Sequence, residues 1–216
     1  MPWFSTPLSM ELLRVYMNSR AYGIWRCVVG AKELRVKEVG ASSKQGIYFY
    51  DVDSDTWVYQ PSEDPDPFIP REDGYYVMYF DNTKCPACRR YDIYWYSFIR
   101  RRAKELKDFR FVIILCGWFA KDCESPKAAA TFTAFDVHAS PTTYLVHVKN
   151  GEVRYKERYE GVLTDSELEK AVPTFRERAE KAERGEPVEK PIKEEDTLLK
   201  LLKKLLQEAS KGGAQG

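Results

Sequence analysis

The sequence predicts an α/β fold with a mixed sheet and the core element order β-α-β-α-β-β-α. Strand and helix patterns alternate from residue 75 onwards, which is typical of parallel strands joined by helical crossovers. Asn150-Gly151 then separates the last two strand patterns, and Asn-Gly is a strong signal for a tight hairpin turn. We therefore expect a parallel half-sheet followed by an antiparallel half-sheet.

The composition limits both the size of the core and the classes of partner. Of the 216 residues 44% are hydrophobic, which suits one main domain with room for an appendage. Lys and Arg number 34 against 33 Asp and Glu, so the net charge of +1 provides no field that attracts nucleic acid. The chain shows neither a secretion-signal pattern nor an apolar stretch long enough to span a bilayer. We expect a soluble, cytoplasmic protein that binds no nucleic acid.

Residues 1–70 predict a small α+β appendage. Residues 8–20 place apolar side chains on one helical face, and residues 25–60 contain extended segments rich in aromatic and β-branched residues. Residues 61–73 include four prolines, which favour a turn-rich connector. We place a boundary near Pro70, and no constellation of residues before it indicates a chemical function.

Residues 71–175 contain the elements of the predicted domain. Apolar runs predict its strands, and capping residues followed by amphipathic segments predict its helices. In chain order these are a strand at 75–80, a helix within 85–109, a strand at 109–116, a helix within 125–135, strands within 141–148 and 152–161, and a helix within 164–175.

The chain beyond Phe175 divides into two parts. Two thirds of residues 176–196 are charged, so we expect a solvated helix extension followed by a flexible linker. Residues 196–210 predict an amphipathic helix with a leucine stripe and lysines on the opposite face. Three interpretations of that stripe stay open: it packs on its own domain, it binds a partner or a second copy, or it lies on a membrane surface.

The motif Cys85-Pro86-Ala87-Cys88 lies between a predicted strand and a predicted helix. A dithiol redox centre needs one accessible thiol that ionises and a second thiol that resolves the mixed disulfide. Free N–H groups at a helix N-terminus favour the Cys85 thiolate, whereas Cys88 lies one turn further in and is more buried. Pro86 fits the first turn without losing a hydrogen bond. We predict that Cys85 attacks and Cys88 resolves.

Other interpretations of the five cysteines stay open. The CxxC pair could form half of a zinc site with Cys116 and Cys123, although their C-x6-C spacing is wider than that of compact zinc knuckles. Otherwise Cys27, Cys116 and Cys123 are buried, inert thiols. A Cys116–Cys123 disulfide is a further alternative, because abundant Glu, Lys and Arg with scarce Gln and Asn are typical of heat-adapted proteins, which tolerate such bonds.

Three motifs occur together in register: the CPAC dithiol, Ser140-Pro141-Thr142 and Asn150-Gly151-Glu152. Together with the element order, they make residues 75–172, a little under half of the chain, resemble the thioredoxin superfamily. The resemblance implies a thiol–disulfide oxidoreductase that acts on protein disulfides, uses the dithiol as its only cofactor and receives electrons from a thiol reductant or a reductase. It also implies a cis-proline loop that faces the dithiol and pairs with the substrate chain. The implied substrate-binding residues are Pro86, Ala87, Ser140, Pro141, Thr142 and Gly161.

The chain departs from the family pattern near the dithiol. Lys84 stands where thioredoxins carry tryptophan, and Tyr79 stands where they carry a buried acid. Asp81 is the nearest candidate to replace that acid as a proton acceptor. Lys84 and Arg89 are expected to favour the Cys85 thiolate, so these two cations and Asp81 are the predicted tuning residues. The alternative class is a non-catalytic binding or scaffold module, in which the CxxC is a relic or part of a zinc site.

Overall fold

The computed structural model describes residues 33–192 and Leu202. The predicted helix at 8–20, Cys27 and the leucine stripe apart from Leu202 lie outside the described residues. The described strands are β1 Arg35–Val36, β2 Gly46–Asp51, β3 Thr56–Gln60, β4 Gly74–Asn82, β5 Phe109–Cys116, β6 Thr142–Lys149 and β7 Glu152–Glu160. The described helices are α1 Pro86–Arg102, α2 Pro126–Ala134, α3 Asp165–Ala171 and α4 Phe175–Glu183. Among these residues, no helix is long and apolar enough to cross a membrane.

In the described part of the chain, seven strands form one sheet in the order β1-β3-β2-β5-β4-β6-β7. Strands β4 and β5 are parallel, with Tyr79 opposite Ile113. The β4–β6 and β6–β7 pairs are antiparallel. The run from β4 to α3 therefore has the predicted order β-α-β-α-β-β-α, and the predicted fold class is confirmed.

The alternation of side chains along the central strands divides the core between the two faces of the sheet. Val77 and Tyr79 of β4 pack on one face with residues of α1, α3 and α4. Met78 and Phe80 pack on the other face with residues of α2. Because adjacent strand residues point to opposite faces, the continuous apolar run of β4 fits a strand that is covered on both sides.

The described part of the predicted N-terminal appendage extends this sheet. Strand β2 pairs antiparallel with β5, and β3 pairs with β2. Tyr48 and Trp57 are buried in the same apolar cluster as Trp95 of α1. The connector around Pro70 therefore lies between two strands of one sheet.

Helix α4 differs from the solvated extension that the sequence predicts. Phe175 and Ala179 are fully buried, and Arg178 is buried in an ion pair with Glu157 of β7. The prediction of solvent exposure is wrong at Arg178 and Ala179, because a charged helical pattern does not reveal that the fold brings a carboxylate beside the arginine. That carboxylate lies 21 residues earlier in the chain.

Candidate active site

Cys85 and Cys88 are free thiols at the start of α1, immediately after the β4 strand and its short turn. Cys85 is the N-cap residue, and its Sγ accepts a hydrogen bond from the Cys88 backbone N–H at 3.2 Å. Pro86 occupies the first turn and is exposed, and Ala87 beside it is half-buried. The motif therefore stands at the strand-to-helix junction where the sequence predicts it, with an N–H group directed at Cys85.

Both thiols are more enclosed than the sequence predicts. Cys85 is 3% exposed, with the Ser140 carbonyl oxygen 3.6 Å from its Sγ, and Cys88 is fully buried. Burial raises the pKa of the Cys88 thiol, and the negative charge of Asp81 raises it further. Ionisation of Cys88 would therefore require nearby groups that receive its proton or stabilise its thiolate.

The Ser140–Pro141 loop lies against the dithiol. The Ser140–Pro141 peptide bond is cis, and Ser140 Oγ lies 3.0 Å from Cys88 Sγ. The Pro141 carbonyl accepts the Gly161 N–H at 2.8 Å, and the buried Thr142 donates its hydroxyl to the Ala139 carbonyl at 2.8 Å. Gly161 has a φ of +88°, a conformation that glycine adopts most easily. The structure thus brings Ser140 of the predicted loop into contact with both cysteines, and Gly161 next to Pro141.

The two predicted cations are bound by carboxylates. Lys84 Nζ forms an ion pair with Asp122 Oδ2 at 2.6 Å. Arg89 forms ion pairs with both Asp81 and Asp92, and its Nη1 lies 3.2 Å from Asp92 Oδ2. These carboxylates reduce the positive charge that the two cations present to Cys85, so their influence on that thiol stays a prediction.

Two carboxyl groups, the buried Asp81 and the half-buried Asp92, lie near Cys88. Asp81 is fully buried and accepts a hydrogen bond from Arg89 on Oδ1, whereas its Oδ2 has no hydrogen-bond partner in the described part of the chain. Burial raises the pKa of Asp81, against the opposing charge of Arg89. Asp92 accepts the Tyr79 hydroxyl at 3.0 Å, and burial together with the charge of Asp81 raises its pKa to about 7. Both acids therefore hold protons more tightly than exposed aspartates do.

Asn82 belongs to the site but is missing from the sequence prediction. It is fully buried at the end of β4, and its backbone carbonyl accepts the Cys85 N–H at 3.1 Å. Its side chain accepts the Phe119 N–H on Oδ1 at 2.6 Å and donates from Nδ2 to Ser140 Oγ at 2.7 Å. The available signal was the pair of polar residues that ends an apolar strand directly before the CPAC motif.

Comparison with known proteins adds structural neighbours. No protein-family model and no curated protein matches the sequence. Thioredoxin from Aeropyrum pernix superposes with a TM-score of 0.40 and 21% identity over 63% of this chain and 97% of its own. Chloroplastic thioredoxin z superposes with a TM-score of 0.36 and 13% identity over 49% of this chain and 81% of its own. Trichomonas vaginalis thioredoxin superposes with a TM-score of 0.32 and 19% identity over 50% of this chain and 79% of its own.

At these TM-scores, the fold assignment depends on the chain's own strand order and connections. The order begins with the parallel strands β4 and β5, which are joined by α1. It continues with α2 and ends with the antiparallel β6–β7 hairpin. The fold is thioredoxin-like. In this thioredoxin-like domain the free dithiol lies at the end of a central strand, facing the Ser140–Pro141 loop.

The second cysteine pair of the thioredoxin-like domain is a disulfide between Cys116 and Cys123, with a Cα–Cα distance of 4.6 Å. Of the alternatives for Cys116 and Cys123, the disulfide is confirmed and the inert thiols are wrong, because the loop 117–122 folds back and brings the two residues together. The zinc interpretation required these sulfurs as ligands, and they are bonded to each other. No cluster of three or more His, Cys, Asp or Glu residues within 33–192 has the arrangement of a metal site.

Proposed function

We propose that this protein is a thiol–disulfide oxidoreductase that acts on protein disulfides through Cys85 and Cys88. The observation that supports it best is the contact of both free thiols with one loop residue: Ser140 O lies 3.6 Å from Cys85 Sγ, and Ser140 Oγ lies 3.0 Å from Cys88 Sγ. A loop that contacts both sulfurs is well positioned to hold a substrate disulfide in line with them. The dithiol itself serves as the redox cofactor.

The reaction proceeds through a mixed disulfide. The Cys85 thiolate attacks one sulfur of the substrate disulfide, so that a Cys85–substrate bond forms and the other substrate sulfur leaves as a thiolate. Cys88 then loses its proton and attacks Cys85 Sγ, which releases the remaining substrate sulfur and forms the Cys85–Cys88 disulfide. Two electrons pass to the substrate, and an upstream thiol reductant or a reductase restores the dithiol. The same steps in reverse oxidise a substrate dithiol.

Asp81 is the proton acceptor for Cys88 in this proposal. The Cys88 thiol is fully buried, so its proton needs an acceptor inside the protein. Asp81 is buried beside it, and Asp81 Oδ2 has no hydrogen-bond partner in the described part of the chain. Arg89 binds Oδ1 of the same carboxylate, which orients the free oxygen and supports the negative charge before the proton arrives.

The substrate polypeptide lies across the exposed start of α1 and the Ser140–Pro141 loop. Pro86 is exposed and Ala87 is half-buried next to Cys85, so both are available to a chain that presents its disulfide there. Ser140, Pro141 and Thr142 align that chain through backbone contacts, as an added strand does. Gly161 provides the neighbouring surface, where a β-carbon added to the glycine would meet no other atom within 4 Å.

The test measures reduction of a disulfide-bonded model protein with dithiothreitol as the electron donor. Wild-type protein should catalyse many turnovers, and Cys85→Ser should abolish them. Cys88→Ser, reduced and then freed of dithiothreitol before it meets the substrate, should complete the first attack and accumulate a mixed disulfide through Cys85, visible as a higher-mass species under non-reducing conditions. Cys27→Ser serves as the matched control and should turn over like wild type. Equal activity of Cys85→Ser and wild type would leave the scaffold module as the better explanation.

A further inference from the structure

The hydrogen bonds of Asn82 have a defined direction. A backbone N–H can only donate, so the side-chain atom 2.6 Å from the Phe119 N–H is the amide oxygen. The amide nitrogen of Asn82 therefore faces Ser140 Oγ at 2.7 Å and donates to it. The Phe119 N–H, which can only donate, thus fixes the orientation of the buried amide.

The direction of hydrogen-bond donation can be followed from Ser140 to Cys88 Sγ, the resolving sulfur. Because Ser140 Oγ accepts from Asn82, its own proton is available for its other neighbour, Cys88 Sγ, at 3.0 Å. A hydroxyl that donates to a sulfur stabilises the thiolate more than the thiol. A Cys88 thiolate can only accept, so in that state the series of donors runs from the Phe119 N–H through Asn82 and Ser140 to Cys88 Sγ.

We propose that Asn82 is a positioning residue for the resolving step, which keeps the Ser140 hydroxyl as a hydrogen-bond donor to Cys88 Sγ. This inference rests on the proposed thiol–disulfide exchange and adds a residue that acts through Ser140 without touching the substrate. Each donor in such a chain polarises the next, so the bond that reaches the sulfur is strengthened by the bonds before it. Asn82 thus promotes formation of the Cys88 thiolate that attacks the mixed disulfide.

The Phe119 N–H, which is the first donor in this series of hydrogen bonds, belongs to the loop 117–122. The Cys116–Cys123 disulfide closes this loop, and the Trp118 N–H donates across it to the Asp122 carbonyl at 2.9 Å. Phe119 has a φ of +55°, which is uncommon for a bulky residue and directs its N–H to Asn82. The loop geometry therefore determines which way the Asn82 amide points.

Other groups act on Cys88 as well. The negative charge of Asp81 on β4 opposes ionisation of the Cys88 thiol. Within the described residues, the other titratable or charged groups near it include Tyr79 on β4 and Cys85, Arg89, Tyr91 and Asp92 at or within α1. All of them stay in place when Asn82 or Ser140 is substituted, so a double-mutant cycle cancels their contribution.

The experiment follows the reaction of the full chain with 5,5′-dithiobis(2-nitrobenzoate) by stopped-flow absorbance. The protein carries Cys27→Ser, its CPAC pair is reduced, and peptide mass verifies an intact Cys116–Cys123 bond. Attack by Cys85 releases one thionitrobenzoate. Attack by Cys88 on the resulting mixed disulfide releases a second, so the rate of the second phase against pH reports ionisation of Cys88.

Four proteins complete the cycle: the parent, Asn82→Asp, Ser140→Ala and the double variant. Asn82→Asp keeps an acceptor for the Phe119 N–H but replaces the donor to Ser140 by an oxygen that competes for the hydroxyl proton. Asn82→Asp and Ser140→Ala should each slow the second phase about tenfold at neutral pH, with a pH profile about one unit higher. When Ser140→Ala is already in place, Asn82→Asp should add no more than about a threefold loss.

Asn82→Leu provides a second variant that introduces no charge, and it should slow the second phase in the parent but not in the Ser140→Ala background. The first phase reports Cys85 and is recorded for every protein, so that the second-phase rates are compared only after the first attack is complete. Equal slowing by the Asn82 substitutions in the parent and in the Ser140→Ala background overturns the inference, because Asn82 then acts by charge or packing. A normal second phase in both Asn82 variants overturns it too. A parent protein that releases one equivalent or none contradicts the proposed function itself, and the inference with it.

Discussion

Two carboxylate–arginine pairs in this domain, each with a buried carboxylate, differ in how many of their polar atoms have hydrogen-bond partners. Glu157 Oε1 accepts from Arg178 Nε at 2.7 Å and from the Tyr155 hydroxyl at 2.9 Å. Its Oε2 accepts from Arg178 Nη2 at 2.8 Å and from the Tyr159 hydroxyl at 2.6 Å. Each oxygen of Glu157 therefore has two donors, and the pair fastens α4 to β7.

The pair beside the dithiol is incomplete. Asp81 accepts from Arg89 on Oδ1, but within the described residues neither Asp81 Oδ2 nor Arg89 Nε has a hydrogen-bond partner. A buried acceptor without a donor costs free energy, so its presence next to Cys88 calls for an explanation. In our account the free oxygen receives the Cys88 proton, whereas the saturated Glu157 pair has no site for one. The comparison separates a pair that stabilises the fold from a pair that serves the chemistry.

The largest effect is expected at the saturated pair. Arg178→Ala leaves Glu157 charged and buried, which should lower the free energy of unfolding by about 3–5 kcal/mol. Denaturant titration measures the loss. Arg176→Ala in the same helix is the matched control, because its ion pair with Asp108 is half-exposed and its removal should leave the midpoint close to that of wild type. A loss below about 1 kcal/mol for Arg178→Ala would show that the saturated pair does not fasten α4.

The next effect is kinetic and belongs to the incomplete pair. Asp81→Asn removes the proton acceptor and should slow the second phase of the dithiobis(nitrobenzoate) reaction at least tenfold at pH 7. Glu157→Gln is the contrasting variant, which should destabilise the fold and leave this phase unchanged in the folded protein. A faster second phase in Asp81→Asn would mean that Asp81 acts only as a charge that opposes the Cys88 thiolate.

The smallest effect is a pH dependence of stability at Asp92. Its pKa in the folded protein is about 7, above the value of about 3.9 for an unfolded chain. Between these values the unfolded state releases the proton while the folded state keeps it, so stability falls as pH rises through this window. Asp92→Asn removes the titration and should be more stable than wild type by about 1–2 kcal/mol above pH 7, with the difference vanishing towards pH 4. A difference that does not vary with pH would contradict the raised pKa.

Local signals in the sequence predict much of the fold and part of the site. Apolar runs identify β4 and β5, and CPAC after a strand predicts the helix that begins at Pro86. Ser140-Pro141 also lies beside the dithiol as the resemblance implies. These features are predictable because strand patterning and helix capping depend on residues that are close together in the chain.

Contacts between distant residues account for what the sequence does not reveal. The pairing of β2 with β5 joins segments more than sixty residues apart, and Lys84 finds Asp122 only once loop 117–122 has folded. Asn82 resembles an ordinary turn residue until Phe119 and Ser140 lie on either side of its amide. The tuning of the dithiol therefore depends on tertiary structure, although its position is visible in the sequence.

The central claim is that Cys85 and Cys88 form a redox couple. The most direct test equilibrates the full chain in graded dithiol/disulfide buffers, alkylates the free thiols and maps the modified peptides by mass. The account predicts that both cysteines titrate together as a reversible two-electron couple with a midpoint of about −120 to −270 mV, and the midpoint gives the direction of electron flow. If the two cysteines remain thiols across the whole series, or titrate independently of each other, the protein is not a dithiol oxidoreductase.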